Sequence, residues 1–155
     1  AINTCKQEIT NINQMAFRKF KGKTKFIYVP VTVSTTFSVG ALVSLGSAGT
    51  LIEAVDNERN SLGVIRHAIA STDADYATAR MVEVEVPVEK HVIWEADATA
   101  ATFVVADIGD EFGISSALLV DRTDVTNRVF KVLEVVSTSV IRGFLKLGGQ
   151  NGGSY

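Results

Sequence analysis

Residues 81–89 read MVEVEVPVE. Val82, Val84, Val86 and Val88 fall on one side of a two-residue period, and Glu83, Glu85 and Glu89 fall on the other, with Pro87 on the polar side. Only a strand sends alternate side chains to opposite faces, because successive Cβ atoms leave the pleat in opposite directions. The stretch therefore predicts a half-buried strand with an apolar inner face and an acidic outer face. That outer face is either a solvated surface or a dock for a basic segment such as a neighbouring copy's Lys19–Lys25. Residues Val82, Glu83, Val84, Glu85, Val86, Pro87, Val88 and Glu89 thus form a candidate interface strand, with Pro87 guarding an edge.

The same period recurs on both sides. In FIYVPVTVS, from Phe26, the residues Val29, Val31 and Val33 alternate with Pro30, Thr32 and Ser34, and Pro30 is expected at an edge or bulge. TFSVGALVSLGSAGTLIEAV holds two β-rich runs around Gly46-Ser47-Ala48-Gly49, a hairpin signal. LGVIRHAIA, HVIWEADA, ATFVVADIG, ISSALLVDR, VFKVLEVVS and VIRGFLKL are further strand-like runs, whereas STDADYATAR reads as a loop or short helix. About nine or ten short strands result, with turn signals about every 8–12 residues and no amphipathic helix of about ten or more. The expected class is all-β: a small β-barrel or β-sandwich.

The 155 residues fit one domain, and 46% hydrophobic with 21% charged residues is a globular composition. No apolar run approaches the ~20 residues that cross a bilayer as a helix, and AINTCKQEIT shows no secretory signal. Cys5 is the single cysteine and has no partner for a disulfide or a cysteine-based zinc site. Charge is placed unevenly. Residues 1–25 hold six basic residues and one acid, Glu8, while the other 130 hold nine basic and sixteen acidic ones. The chain divides on this reading into a basic N-terminal arm (1–25), a β-rich body (26–147) and a flexible Gly-rich tail, GGQNGGSY (148–155). An arm this basic works on something negative: nucleic acid, a membrane surface, or an acidic protein such as a second copy. Its candidate binding residues are the cations Arg18, Lys19, Lys21, Lys23 and Lys25, with Phe17 and Phe20 as apolar anchors.

Catalytic patterns are missing. Gly22-Lys23-Thr24 ends like a phosphate-binding loop, but Phe17 stands where that loop needs its first Gly. His67 and His91 are the only histidines, and no G-x-S-x-G elbow accompanies them. The carboxylates at Asp107, Asp110 and Glu111 and at Asp121 and Asp124 lack calcium-loop spacing and read as turn residues. The sequence therefore points to a non-enzyme with no catalytic residue, cofactor or metal. Two rival classes remain open. Lysines interleaved with Phe17, Phe20 and Phe26 suit a single-strand nucleic-acid binder, although an acidic body opposes a polyanion. A β-barrel nucleotide hydrolase would work through Asp107, Asp110 and Glu111.

A larger pattern spans 26–147. VTVSTTFSVGALVSLGSAGTLIEAVD is followed by SLGVIRHAIA and then by ADATAATFVVADIGDEFGI. Gly40, Leu42, Val43, Gly49, Leu51 and Ala54 lie on the hairpin, Gly63 and Val64 open the next strand, and Asp107–Gly109 make a late turn. In this order the chain resembles the head decoration (capsid cement) proteins of tailed bacteriophages. That resemblance implies a small β-rich protein on the outer surface of the virion capsid, assembled in the host cytoplasm. Its implied partners are the major capsid protein and its own copies, as a homotrimer, with no role for a membrane. The arm carries none of the family's motifs, so its assignment to shell contact rests on charge and on the ability of an ordering arm to wrap a surface.

Overall fold

The computed structural model describes residues 16–55, 61–99 and 102–147. Eleven strands run through them: β1 (Phe17–Lys21), β2 (Thr24–Pro30), β3 (Leu42–Leu45), β4 (Leu51–Glu53), β5 (Gly63–Ile65), β6 (Met81–Pro87), β7 (Ile93–Asp97), β8 (Glu111–Ser116), β9 (Leu119–Asp121), β10 (Phe130–Ser137) and β11 (Val140–Leu145). A single 3-10 turn, Val105–Asp107, is the only helical element among the described residues. One sheet has six strands in the order β1-β7-β11-β10-β8-β9, and the other has five in the order β2-β6-β5-β3-β4. All pairs of named strands are antiparallel. The expected all-β class is therefore present, as a sandwich-like arrangement and not a closed barrel.

The core follows from the alternation. Val82, Val84 and Val86 of β6 are buried, and so are Phe17, Trp94, Ala96, Phe130, Val132 and Ile141 from the other sheet. All of them belong to one continuous apolar cluster. The hairpin between β3 and β4 closes through Gly46, whose N–H donates to Thr50 O at 2.8 Å. Gly49 ends that turn with φ at 77°, which explains the glycine there. In β11, a Cβ at Gly143 would collide with the Lys131 carbonyl oxygen, so glycine is what lets β10 and β11 approach.

Several expectations are corrected. A separate arm ending at Lys25 is replaced, from Ala16 onward, by integration into both sheets. β1 pairs with β7, β2 pairs with β6, and Phe17 is fully buried. Burying that ring outweighs solvating the neighbouring cations, which reach water from the strand's other positions. The candidate interface strand β6 is an inner strand, flanked by β2 and β5, so Pro87 guards no sheet edge. Its acidic face is only partly solvated, because Glu85 is 5% exposed and Glu83 half-buried, while Glu89 is exposed. Of the expected strand ATFVVADIG, residues 102–109 form a loop with the 3-10 turn, whereas STDADYATAR forms turns, the loop alternative of its expectation. Val33 lies beyond the end of β2 and is exposed, unlike Val31. Residues 1–15, Cys5 among them, and the tail 148–155 lie outside the described residues.

Candidate functional site

The basic stretch Arg18–Phe26 forms the corner where the chain leaves the six-stranded sheet and enters the five-stranded one. Gly22 makes the turn at φ 112°, and a Cβ there would come within 3.0 Å of Val92 Cα. The Lys23 N–H donates to a Glu89 carboxylate oxygen at 2.8 Å, and the Val88 N–H donates to Lys23 O at 3.0 Å. GKT is thus a strand-to-strand corner held by backbone bonds, with no helix behind it to bind phosphate.

Arginines and lysines divide the labour. All nine ion pairs among the described residues are made by arginines: Arg18, Arg66, Arg80, Arg122, Arg128 and Arg142. The planar guanidinium matches a carboxylate in a way that the strongly hydrated ammonium does not. On the outer face of the six-stranded sheet, register places Arg18 opposite Glu95, Glu95 opposite Arg142, and Arg142 opposite Glu134. The result is a row of alternating charge across four adjacent strands. Arg18 Nε donates to Glu95 Oε1 at 2.7 Å, Arg142 Nε donates to Glu95 Oε2 at 2.9 Å, and Arg142 Nη1 donates to Glu134 Oε2 at 3.1 Å. Burial disfavours charge on Glu95, but hydrogen bonds from Arg142 and Arg18 outweigh it and hold the carboxyl below its usual range. Asp97 takes the weaker share of Arg18, at 3.2 Å, and burial pushes its carboxyl up.

Lys19, Lys21, Lys23 and Lys25 have no ion pair among the described residues, and all four are exposed. Phe20, bulged out where the β1–β7 register shifts, is 48% exposed beside them. Phe26 and Tyr28, two residues apart on β2, are 52% and 63% exposed. Of the sequence-derived site residues, Lys19, Phe20, Lys21, Lys23 and Lys25 are exposed along the stretch that runs from β1 through the Gly22 corner into β2. Phe17 goes to the core and Arg18 to the charge row. On β6, Val82, Val84, Glu85 and Val86 are buried, and Glu83 accepts the Tyr28 hydroxyl at 2.9 Å. Pro87 is half-buried, and only Val88 and Glu89 reach the corner as exposed groups.

Tyr28 was not among the sequence candidates, although its place on the polar side of the β2 alternation was readable. Arg66, which pairs with buried Glu85, left no sequence signal, because nothing local joins residues 66 and 85.

The other chemistry-bearing groups sit in turns or on the surface. Asp107 is buried and accepts the Val104 N–H at 2.9 Å and Arg122 Nε at 2.8 Å. Asp121 and Asp124 accept nearby backbone N–H groups at 2.9–3.1 Å. His67 and His91 are both exposed, and the His91 ring meets that of Phe144 at 5.0 Å. Among the described residues no three His, Cys, Asp or Glu side chains cluster in a way that could hold a metal ion. No known family model matches the chain, and no curated protein matches it.

Proposed function

We propose that this chain is a non-enzymatic structural protein of a phage virion, which binds the exterior of the capsid and stabilises the expanded shell. The reading rests on the sequence resemblance to decoration proteins and on one observation. Four exposed lysines without ion pairs among the described residues, together with exposed Phe20 and Phe26, lie along a corner fixed by both sheets. Uncompensated cations around aromatic anchors suit docking on an acidic protein surface, with charge steering the encounter and the rings supplying the buried area. Many copies on one shell convert modest affinity per site into firm attachment, and self-association as a trimer would add to it. The major capsid protein is the proposed partner.

Phe26 and Tyr28, both exposed on one face of a strand that also carries Lys25, suit a stacking platform and support a second reading as a single-strand nucleic-acid binder. One experiment separates the two. The protein and its K19E/K21E/K23E variant are sedimented with expanded, undecorated shells, with single-stranded DNA run in parallel. Saturation of shells at a fixed ratio by the native protein, with at least about tenfold weaker binding by the variant, supports decoration. The variant's folding stability should stay within about 0.5 kcal/mol of the native value, since none of the three lysines makes an ion pair among the described residues. Equal shell binding by both proteins removes the corner from the reading, and retention by DNA alone replaces it with the second.

A further inference from the structure

Sheet edges are the strongest unused feature of the fold. An edge strand offers a row of backbone N–H and C=O groups that templates a further strand, and folds usually cover such edges. Three of the four edges here are covered by specific contacts. At β1, the Phe17 N–H donates to Gly40 O at 3.0 Å, and Phe17 O accepts Arg66 Nη1 at 3.2 Å. At β4, a bridge joins Val31 to Leu51, and the Thr32 N–H donates to Leu51 O at 3.1 Å. At β9, a bridge joins Ala98 to Val120, and the Thr99 N–H donates to Val120 O at 2.8 Å.

The fourth edge, β2, has no outer partner strand among the described residues. The bonds Val88 N–H to Lys23 O and Val31 N–H to Arg80 O show that odd-numbered residues face β6. Antiparallel pairing alternates, so Thr24, Phe26 and Tyr28 aim their N–H and C=O groups away from it. Among the described residues no strand pairs with β2 on that side. The open length is bounded by the Gly22 corner at one end. At the other stands Pro30, which has no N–H to offer.

We propose that the β2 edge accepts an extended acidic segment of a partner protein as a sixth strand. The partner's chemistry is argued from what β2 already binds. Its inner neighbour, β6, is an alternating Val/Glu strand. β2 engages the glutamates of that strand through Tyr28 Oη to Glu83 at 2.9 Å and Thr24 Oγ1 to Glu85 at 2.6 Å. Lys23 and Lys25, at the corner end of the same strand, are exposed and have no ion pair among the described residues. A second copy's β2 would bring another such lysine set to this edge, whereas an acidic strand neutralises the one present. Backbone bonds then supply affinity, and alternate side chains over Phe26 and Tyr28 supply selectivity. The inference rests on the corner being a docking surface, and not on the partner being a phage shell.

The test follows backbone amide hydrogen exchange by NMR on the full chain, with an acetylated, amidated VEVEVE peptide and a VKVKVK control. With peptide at about ten times its Kd, exchange at Thr24, Phe26 and Tyr28 should slow about tenfold, while Lys25 and Ile27, already bonded to β6, change little. The control should have no effect. Phe26→Pro, which removes an outward donor only, should abolish the peptide effect and leave the β6 pairing intact. Failure of VEVEVE to slow those three amides overturns the proposal, as does equal protection by both peptides. Slow exchange at all three before peptide is added also overturns it. Concentration independence would then assign the edge to this chain's own residues, and concentration dependence to a second copy. Because the readout contains no shells, its failure leaves the sedimentation result to stand or fall separately.

Discussion

The guanidinium carbon of Arg142 lies 3.7 Å from the centre of the Phe20 ring. Arg142 sits on β11 and Phe20 on β1, so the contact reaches over β7 and pins the bulge of β1 to the middle of the sheet. A cation over an exposed ring contributes about 0.5–1 kcal/mol. Phe20→Leu, which keeps an apolar group but loses the ring's negative face, should lower stability by about that amount in urea titrations followed by the fluorescence of buried Trp94. No change would show that the bulge holds its conformation without the arginine.

Glu85 is buried, and its chief cation is Arg66. Arg66→Met leaves that carboxylate with the Thr24 hydroxyl as its one side-chain partner among the described residues, and removing one partner of a buried pair costs about 3–5 kcal/mol. The double variant Arg66→Met/Glu85→Leu removes both charges and should recover most of the loss. A double variant as unstable as the single one would mean that shape, not charge, dominates the site.

Glu95 and Asp97 share Arg18 but respond in opposite directions to pH. The folded state lowers the Glu95 pKa, so its contribution is present above the unfolded value of about 4.3 and is lost as pH falls through the folded value. The folded state raises the Asp97 pKa, so ionised Asp97 opposes folding above that value. At pH 7, Glu95→Gln should cost about 1–3 kcal/mol, whereas Asp97→Asn should be neutral or slightly stabilising. Guanidinium melts at neutral pH and near pH 4 check both signs.

Asp107 supplies a second acid-sensitive contact, at the 3-10 turn. Burial alone would raise its pKa, but the Arg122 hydrogen bond, the Val104 N–H and the Arg122 charge lower it overall. The stability it contributes is complete above the unfolded value of about 3.9 and disappears as pH falls through the lower folded value. Asp107→Asn should therefore flatten the stability profile below about pH 4, together with a loss at neutral pH measured by thermal melting. A profile of unchanged slope would place the acid sensitivity elsewhere.

Much of the fold was legible locally. Alternation located the strands β6, β7, β10 and β11, and glycine placement located the β3–β4 hairpin, because strand period and turn chemistry are properties of neighbouring residues. ISSALLVDR was harder. It reads as one strand, yet EFGISS and LVD form the separate strands β8 and β9, and the break between them has only Ala117 and Leu118 to mark it. The basic corner was half legible. Its cations were visible as a composition bias, but the separation of Arg18 and Phe17 from Lys19, Lys21, Lys23 and Lys25 was not.

By itself, then, the sequence determined an all-β chain with Val82, Val84 and Val86 in its core and a basic segment before its second strand. Those outcomes rest on side-chain period, apolar burial and charge count, all of which are written along the chain. Tertiary structure alone decided that Arg18 meets Glu95 and Arg66 meets Glu85, that β6 lies inside its sheet, and that β2 has no outer partner strand among the described residues. Each of these depends on which strands become neighbours, and pairing between residues as distant as 18 and 95 is set by the global packing of two sheets rather than by any local preference.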